Sequence, residues 1–198
     1  TLFRSVKTNS VPSFPVGFET PLTMYPLDFS EFCMACGLQP ETFDYLKTCF
    51  ESLQPVAETV HNSMMQLLYA YMVVGGMPQC VSTYIATHDI GQILAIQNDI
   101  LALYRFDIAR YADRDKEKIR EIFDAIPSQL EAKNRRFVLS DIAKSARLLR
   151  YENSFVWLSD AGVSLPCFNV AQPTPPLGLS EKRNLFKLFL CDTGLLAA

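Results

Sequence analysis

Nowhere does this chain read G-x-x-x-x-G-K-[ST], so the glycine-rich loop that cradles nucleotide phosphates is missing from its 198 residues. G-x-S-x-G is absent too, which removes the elbow that presents a hydrolase serine. Histidine is scarce. His61 and His88 lie in unrelated helical contexts and read as a core or surface residue and a helix-start residue, not as catalysts. The longest apolar run, near Met64–Met77, is broken by Gln66, Gly75 and Gly76 and is too short and too mixed to cross a membrane. The opening residues have no signal-peptide pattern. A net charge of −3 gives no global attraction to nucleic acid or to an anionic membrane.

Cysteine is present but forms no framework. Cys33, Cys36, Cys49, Cys80, Cys167 and Cys191 are irregularly spaced and read as reduced, mostly buried thiols of a cytoplasmic protein. Cys33-Met34-Ala35-Cys36 has C-x-x-C spacing, but zinc needs two further ligands nearby and redox work a βαβ setting. Asp192-Thr193-Gly194 imitates an aspartic-protease loop. That chemistry needs a second carboxylate sharing a proton, so a turn after a strand is the expectation. No catalytic residue, cofactor site or metal site is assigned.

Apolar residues make up 49% and charged residues 20%, enough for a real core in one large domain or two small ones. Charge is distributed unevenly. Seven acidic residues and one basic residue, Lys47, lie between Glu19 and Glu58. Between Lys133 and Arg150 stand six basic residues and one acidic, Asp141, a local charge of +5.

The periodicities predict a mainly α chain with a small β component, a helical bundle followed by a winged helix-turn-helix. Residues 1–27 read as extended. Residues 28–112 form the bundle. Asp28 caps its first helix with Glu31 three residues on, and Gly37 ends that helix. Glu41–Leu53 places Phe43, Leu46 and Phe50 on one face. Val56–Val74 is a central helix with Val60, Met64, Leu67, Leu68 and Tyr71 in a stripe, stopped by Gly75-Gly76. Pro78 opens a short helix and Asp89–Tyr111 is the longest.

Residues 113–198 form the second domain. Its first helix, Glu117–Ala125, is predicted to break at Pro127. Arg136–Leu139 is extended, Ser140 caps a short helix through Ala143, and Leu148–Ala161 ends at Gly162. Val163–Val170 and Leu185–Cys191 read as strands joined by the tip Pro173–Asn184. In a winged helix, Lys133, Arg135, Arg136, Lys144, Arg147 and Arg150 cover the recognition helix and its approach, with Lys182 and Arg183 on the wing. They are the candidate nucleic-acid contacts, through phosphates. The competing reading is a solvated face, or a surface docking on an acidic partner such as residues 19–58.

Several runs carry a resemblance: Ser13-Phe14-Pro15-Val16-Gly17, Tyr25-Pro26-Leu27-Asp28-Phe29-Ser30-Glu31-Phe32, Gly75-Gly76-Met77-Pro78, Tyr104-Arg105-Phe106-Asp107-Ile108, Ile126-Pro127-Ser128-Gln129-Leu130, Trp157-Leu158-Ser159-Asp160-Ala161-Gly162 and Phe186–Leu196. In this order they resemble a prokaryotic family of AAA-type ATPases with a C-terminal domain of unknown function. The resemblance implies a P-loop domain, with ATP and magnesium, ahead of this piece and often a nuclease-like module after it. Residues 1–27 would then be the remnant of the ATPase core. Where the family places Lys or Arg after the Ser13–Gly17 run, this chain has Phe18, which cannot stabilise phosphate charge. The expected function is a non-catalytic middle and C-terminal part that couples nucleotide state to DNA, or to protein domains and subunits, with no membrane partner. The alternative is a free-standing winged-helix protein that binds DNA or protein.

Overall fold

The computed structural model describes residues 22–112, 115–142 and 148–198. It is mainly helical with one small antiparallel sheet. In chain order the helices are α1 (Phe29–Ala35), α2 (Pro40–Glu51), α3 (Glu58–Val74), α4 (Pro78–Thr87), α5 (Ile90–Tyr111) and α6 (Lys116–Glu131). A 3-10 turn (Leu139–Asp141), α7 (Leu148–Asp160), β1 (Ser164–Val170), a second 3-10 turn (Leu177–Ser180), β2 (Glu181–Leu190) and α8 (Gly194–Ala197) follow. The chain divides into two compact units, one of Met24–Leu101 with Asp192–Ala198, the other containing Ala102–Cys191.

The first unit is built on punctuation that the sequence announces. Asp28 accepts the Glu31 N–H at 2.8 Å while its own N–H donates to the Glu31 carboxylate at 2.9 Å, the reciprocal cap expected for α1. Gly75, at φ +74°, ends α3, and Pro78 occupies the first turn of α4. Phe32 of α1 is fully buried, with its ring 5.3 Å from Tyr71 of α3 and 5.9 Å from Tyr84 of α4. Cys33, Cys80, Val81, Ile93 and Gln97 complete this core. α3 is less central than its apolar stripe predicts. Of its seventeen residues only Val74 is buried, while Tyr69 and Met72 face outward. His88 does not start a helix either. It closes α4 at φ +52°, its ring edge-on to Tyr84, and Asp89 accepts the N–H groups of Gly91 and Gln92 to start α5.

The second unit packs α6 and α7 on the sheet. Ile119, Ile122, Phe123 and Ile126 are the buried stripe of α6, and Tyr151, Leu158, Phe186, Leu188 and Leu190 meet it from α7 and β2. This stripe explains a departure from the sequence reading, because α6 runs on through Pro127 to Glu131. Proline removes one N–H and crowds the carbonyl four residues back, a cost of about 3 kcal/mol. Burial of Ile126 and Gln129 on the same face offsets it.

The strands pair antiparallel from Ser164↔Leu190 to Phe168↔Phe186, then resume at Asn169↔Lys182. Arg183, Asn184 and Leu185 therefore bulge from β2, which begins at Glu181, four residues before the predicted start. Ser140 sits inside the 3-10 turn, whose N-cap position is Val138. The remainder of the helix expected through Ala143 lies outside the described residues.

Candidate functional site

Among the described residues of the basic run, Lys133, Arg135 and Arg136 stand together and Arg150 stands apart from them. Ala132–Arg135 is a turn at the end of α6, closed by the Arg135 N–H on the Ala132 carbonyl at 2.8 Å, with Arg135 at φ +48°. Lys133, Arg135 and Arg136 are exposed on it. Of the extended segment expected over Arg136–Leu139, Leu139 instead opens the 3-10 turn, and Val138 before it is extended. Two bonds fix it: the Phe137 N–H donates to the Phe186 carbonyl at 3.0 Å, and the Val138 N–H donates to Gln129 Oε1 at 2.8 Å. Gln129 Nε2 reaches on to Asp141 at 3.2 Å, so one buried amide latches the turn to α6. Phe137, Phe155 and Phe186 pack together behind it, with centroids 5.2–5.8 Å apart.

Arg150 lies elsewhere. Its carbonyl accepts from Lys118 Nζ at 3.2 Å, and Lys118 also bonds Asp115 at 2.6 Å and sits over the Tyr151 ring. Lys118 is in the first turn of α6, whereas Lys133 follows its last. At 1.5 Å per residue those levels are roughly 20 Å apart. Lys144 and Arg147 lie outside the described residues. Arg183, on the bulge, is 3.6 Å from Glu152 of α7 and 4.0 Å from Glu181, so its charge is matched locally. Lys182 is exposed beside it, opposite Asn169. The solvent side of α7 carries Arg150, Glu152, Asn153, Val156 and Asp160. The tip 171–180 has no charged residue and presents Leu177 and Leu179, the latter 86% exposed.

A second site is one that sequence reasoning did not assign. Asp192, only 5% exposed, accepts the Gly76 N–H at 2.6 Å, the Gly194 N–H at 2.9 Å and the Leu195 N–H at 3.3 Å. The turn expected for Asp192-Thr193-Gly194 is thus a carboxylate held by backbone donors. Burial pushes its pKa up, and bonds from Gly76, Leu195, Gly194 and Met77 pull it back, with a net rise. The glycines are obligatory at this node. A Cβ on Gly75 would meet the Asp192 carboxylate, one on Gly76 the Leu27 carbonyl, and one on Gly194 the Gln97 amide and the Val74 carbonyl. Leu27 N–H donates to the Gly76 carbonyl at 2.8 Å, Tyr71 Oη to the Leu27 carbonyl at 2.9 Å, and Gln97 Nε2 to the Val73 and Val74 carbonyls. The signal available in the sequence was the Gly75-Gly76 pair and the Asp192-Thr193-Gly194 turn, both in runs that carried the resemblance.

Cys33 and Cys36 share α1 and the nearby turn, and burial pushes Cys33 up to about 11 and raises Cys36 as well. They are poor nucleophiles and poor metal ligands in that state. Among the described residues no group of three or more metal-ligating side chains comes together, and no helix is long and apolar enough to cross a membrane. His61 is exposed on α3. No curated protein and no solved structure matches the chain. A family model described as a domain of unknown function (DUF8612) matches residues 65–198, more than half of the chain and the whole span from mid-α3 through Gly75, Gly76 and Asp192 to α8, and the chain belongs to that family.

Proposed function

We propose that this chain is the non-catalytic middle and C-terminal part of an AAA-type ATPase, and that residues 116–190 are a winged helix coupling nucleotide state to a protein partner. The observation that carries the winged-helix reading is the Phe137 N–H bond to the Phe186 carbonyl. It sets β2 beside the 136–138 segment as well as beside β1. The order is then helix, the 136–138 segment, 3-10 turn, helix, strand, wing, strand, which supports the winged-helix reading. The ATPase part is supported by the Asp192 node, where Leu27, Gly75, Gly76, Asp192 and Gly194 meet from three of the runs that resemble that family. ATP and magnesium belong to the P-loop domain of the parent, since no residues here match a phosphate cradle.

Protein is favoured over duplex DNA by charge. A recognition helix that contacts phosphates works through unpaired cations. On α7, Arg150 is outnumbered by Glu152 and Asp160, Arg183 is paired, and the wing tip offers leucines. Fluorescence anisotropy of a labelled duplex across a salt series tests this. We expect binding no tighter than the non-specific range, roughly 10⁻⁴–10⁻⁶ M at physiological salt. Nanomolar binding that weakens steeply with salt and is lost in Arg150→Ala or Lys182→Ala turns the partner into DNA. The coding sequence upstream of Thr1 tests the parent. A P-loop domain in frame supports the ATPase, and an initiator immediately before Thr1 supports the free-standing alternative.

A further inference from the structure

Two residues of the first unit each hold two separate stretches of chain. Tyr71, in the last turn of α3, donates its hydroxyl to the Leu27 carbonyl at 2.9 Å, and its own carbonyl accepts from Thr193 Oγ1 at 3.4 Å. Gly76, just past α3, accepts the Leu27 N–H at 2.8 Å, and its N–H donates to the Asp192 carboxylate at 2.6 Å. The extended stretch Met24–Asp28 and the tail Asp192–Ala198 are therefore fastened to the same few residues, although more than a hundred positions separate them in the chain.

Neither stretch is secured by its own packing alone. Met24 and Tyr25 are 75% and 69% exposed, so the leading stretch gains little from burial ahead of Leu27. α8 has only four residues, too few for a helix to stand by itself, and it is seated by the buried Leu195 and by the Asp192 carboxylate on the Gly194 and Leu195 N–H groups. What both stretches grip is Gly75-Gly76, with Gly75 at φ +74°. Glycine has more conformational freedom to lose on ordering than any other residue. Whichever stretch docks first removes that freedom, and the second docks on an ordered turn at a smaller entropic cost. Such coupling acts equally in both directions.

We propose that Met24–Asp28 and Asp192–Ala198 form a two-ended clasp on Tyr71 and Gly76, in which release of either stretch loosens the other. A displacement that reaches Leu27 from the residues ahead of it is passed to Asp192 and to the seating of α8 on α3, and a pull on the tail is passed back to Leu27. The clasp depends only on bonds within the first unit and stands apart from the ATPase reading.

Native-state hydrogen exchange of the full chain, resolved by residue, reads the coupling from both ends. Tyr71→Phe keeps the ring and removes only the hydroxyl bond to Leu27. It is expected to speed exchange of the Leu27 N–H about tenfold. The Gly194 and Leu195 N–H groups, which the substitution does not touch, are expected to speed up about threefold or more beyond any change at the buried Val81 and Ile93. Thr193→Val removes the tail's hydroxyl bond, and the expected result is the converse, an acceleration of about threefold or more at Leu27. Acceleration confined to the end that was altered, or a distant end that speeds up no more than Val81 and Ile93, overturns the proposal. Urea titration of both single variants and the double variant gives a second reading. The two hydroxyls bond different carbonyls, so independent effects multiply. A clasp makes the double variant's loss in folding constant about threefold or more smaller than the product of the single losses. A loss equal to that product overturns the proposal as well.

Discussion

The Asp192 carboxylate ties the Gly75-Gly76 turn to the start of α8. Three N–H groups donate to its carboxylate, and Asp192→Ala leaves all three without that acceptor, so a loss of about 2 kcal/mol in a urea titration at neutral pH is expected. Its charge state gives a second, independent expectation. Because burial raises its pKa above the usual carboxylate value, the folded state holds the proton more tightly than the unfolded chain. That contribution is fully present below the unfolded value and is lost as pH rises through the folded one. Wild-type stability measured relative to Asp192→Asn should therefore fall as pH rises from the ordinary carboxylate range and then level off. A difference that rises with pH instead would mean that the backbone donors outweigh burial. Sequence reasoning placed a turn here but not a buried carboxylate, since Asp-Thr-Gly looks the same whether its acid faces water or the Gly75-Gly76 backbone from more than a hundred residues earlier.

At the scale of the element, α6 shows local propensity losing to packing. Pro127 predicts an end to the helix, yet the apolar spacing of Ile119, Ile122, Phe123 and Ile126 continues across it to Gln129. The spacing was legible; its dominance over the proline was not, because that depends on what α7 and β2 set against the face. Pro127→Ala should restore the missing bond to the Phe123 carbonyl and stabilise the protein by about 2 kcal/mol, after allowance for the looser unfolded chain. Thermal unfolding reads this as a rise of several degrees. No gain would show that a bend at Pro127 is needed to aim Gln129 at Val138 and Asp141. The capped start of α1, the glycine stops at Gly37, Gly75 and Gly162, and the two strands were readable for the opposite reason. Each depends on backbone geometry within a few residues, where sequence and structure are tied most closely.

For the whole molecule, the chain's last seven residues matter beyond their number. Asp192–Ala198 belongs with Met24–Leu101 in the first unit, where α8 packs on α3 and Leu195 is buried. A chain ending at Cys191 should lose hydrogen-exchange protection across 29–101 by about 3 kcal/mol or more, while α6, α7 and the sheet keep theirs. Uniform loss over both units would show that they do not fold as separate cooperative bodies.

By itself the sequence determined the mainly helical class, the small antiparallel sheet, the caps and stops, and the charge imbalance between residues 19–58 and 133–150. These follow from periodicity, backbone sterics and composition, all of which act locally or sum over the chain. Only the tertiary structure decided where those charges go. It separated Arg150 from Lys133–Arg136 by most of the length of α6, neutralised Arg183 on Glu152, and left Phe50 uncovered. It also drew Leu27, Gly76 and Asp192 to one point. The physical reason is that a helix carries neighbours in sequence apart at 1.5 Å per residue, while burial and hydrogen bonding bring distant residues within 3 Å, and neither displacement is written in linear spacing.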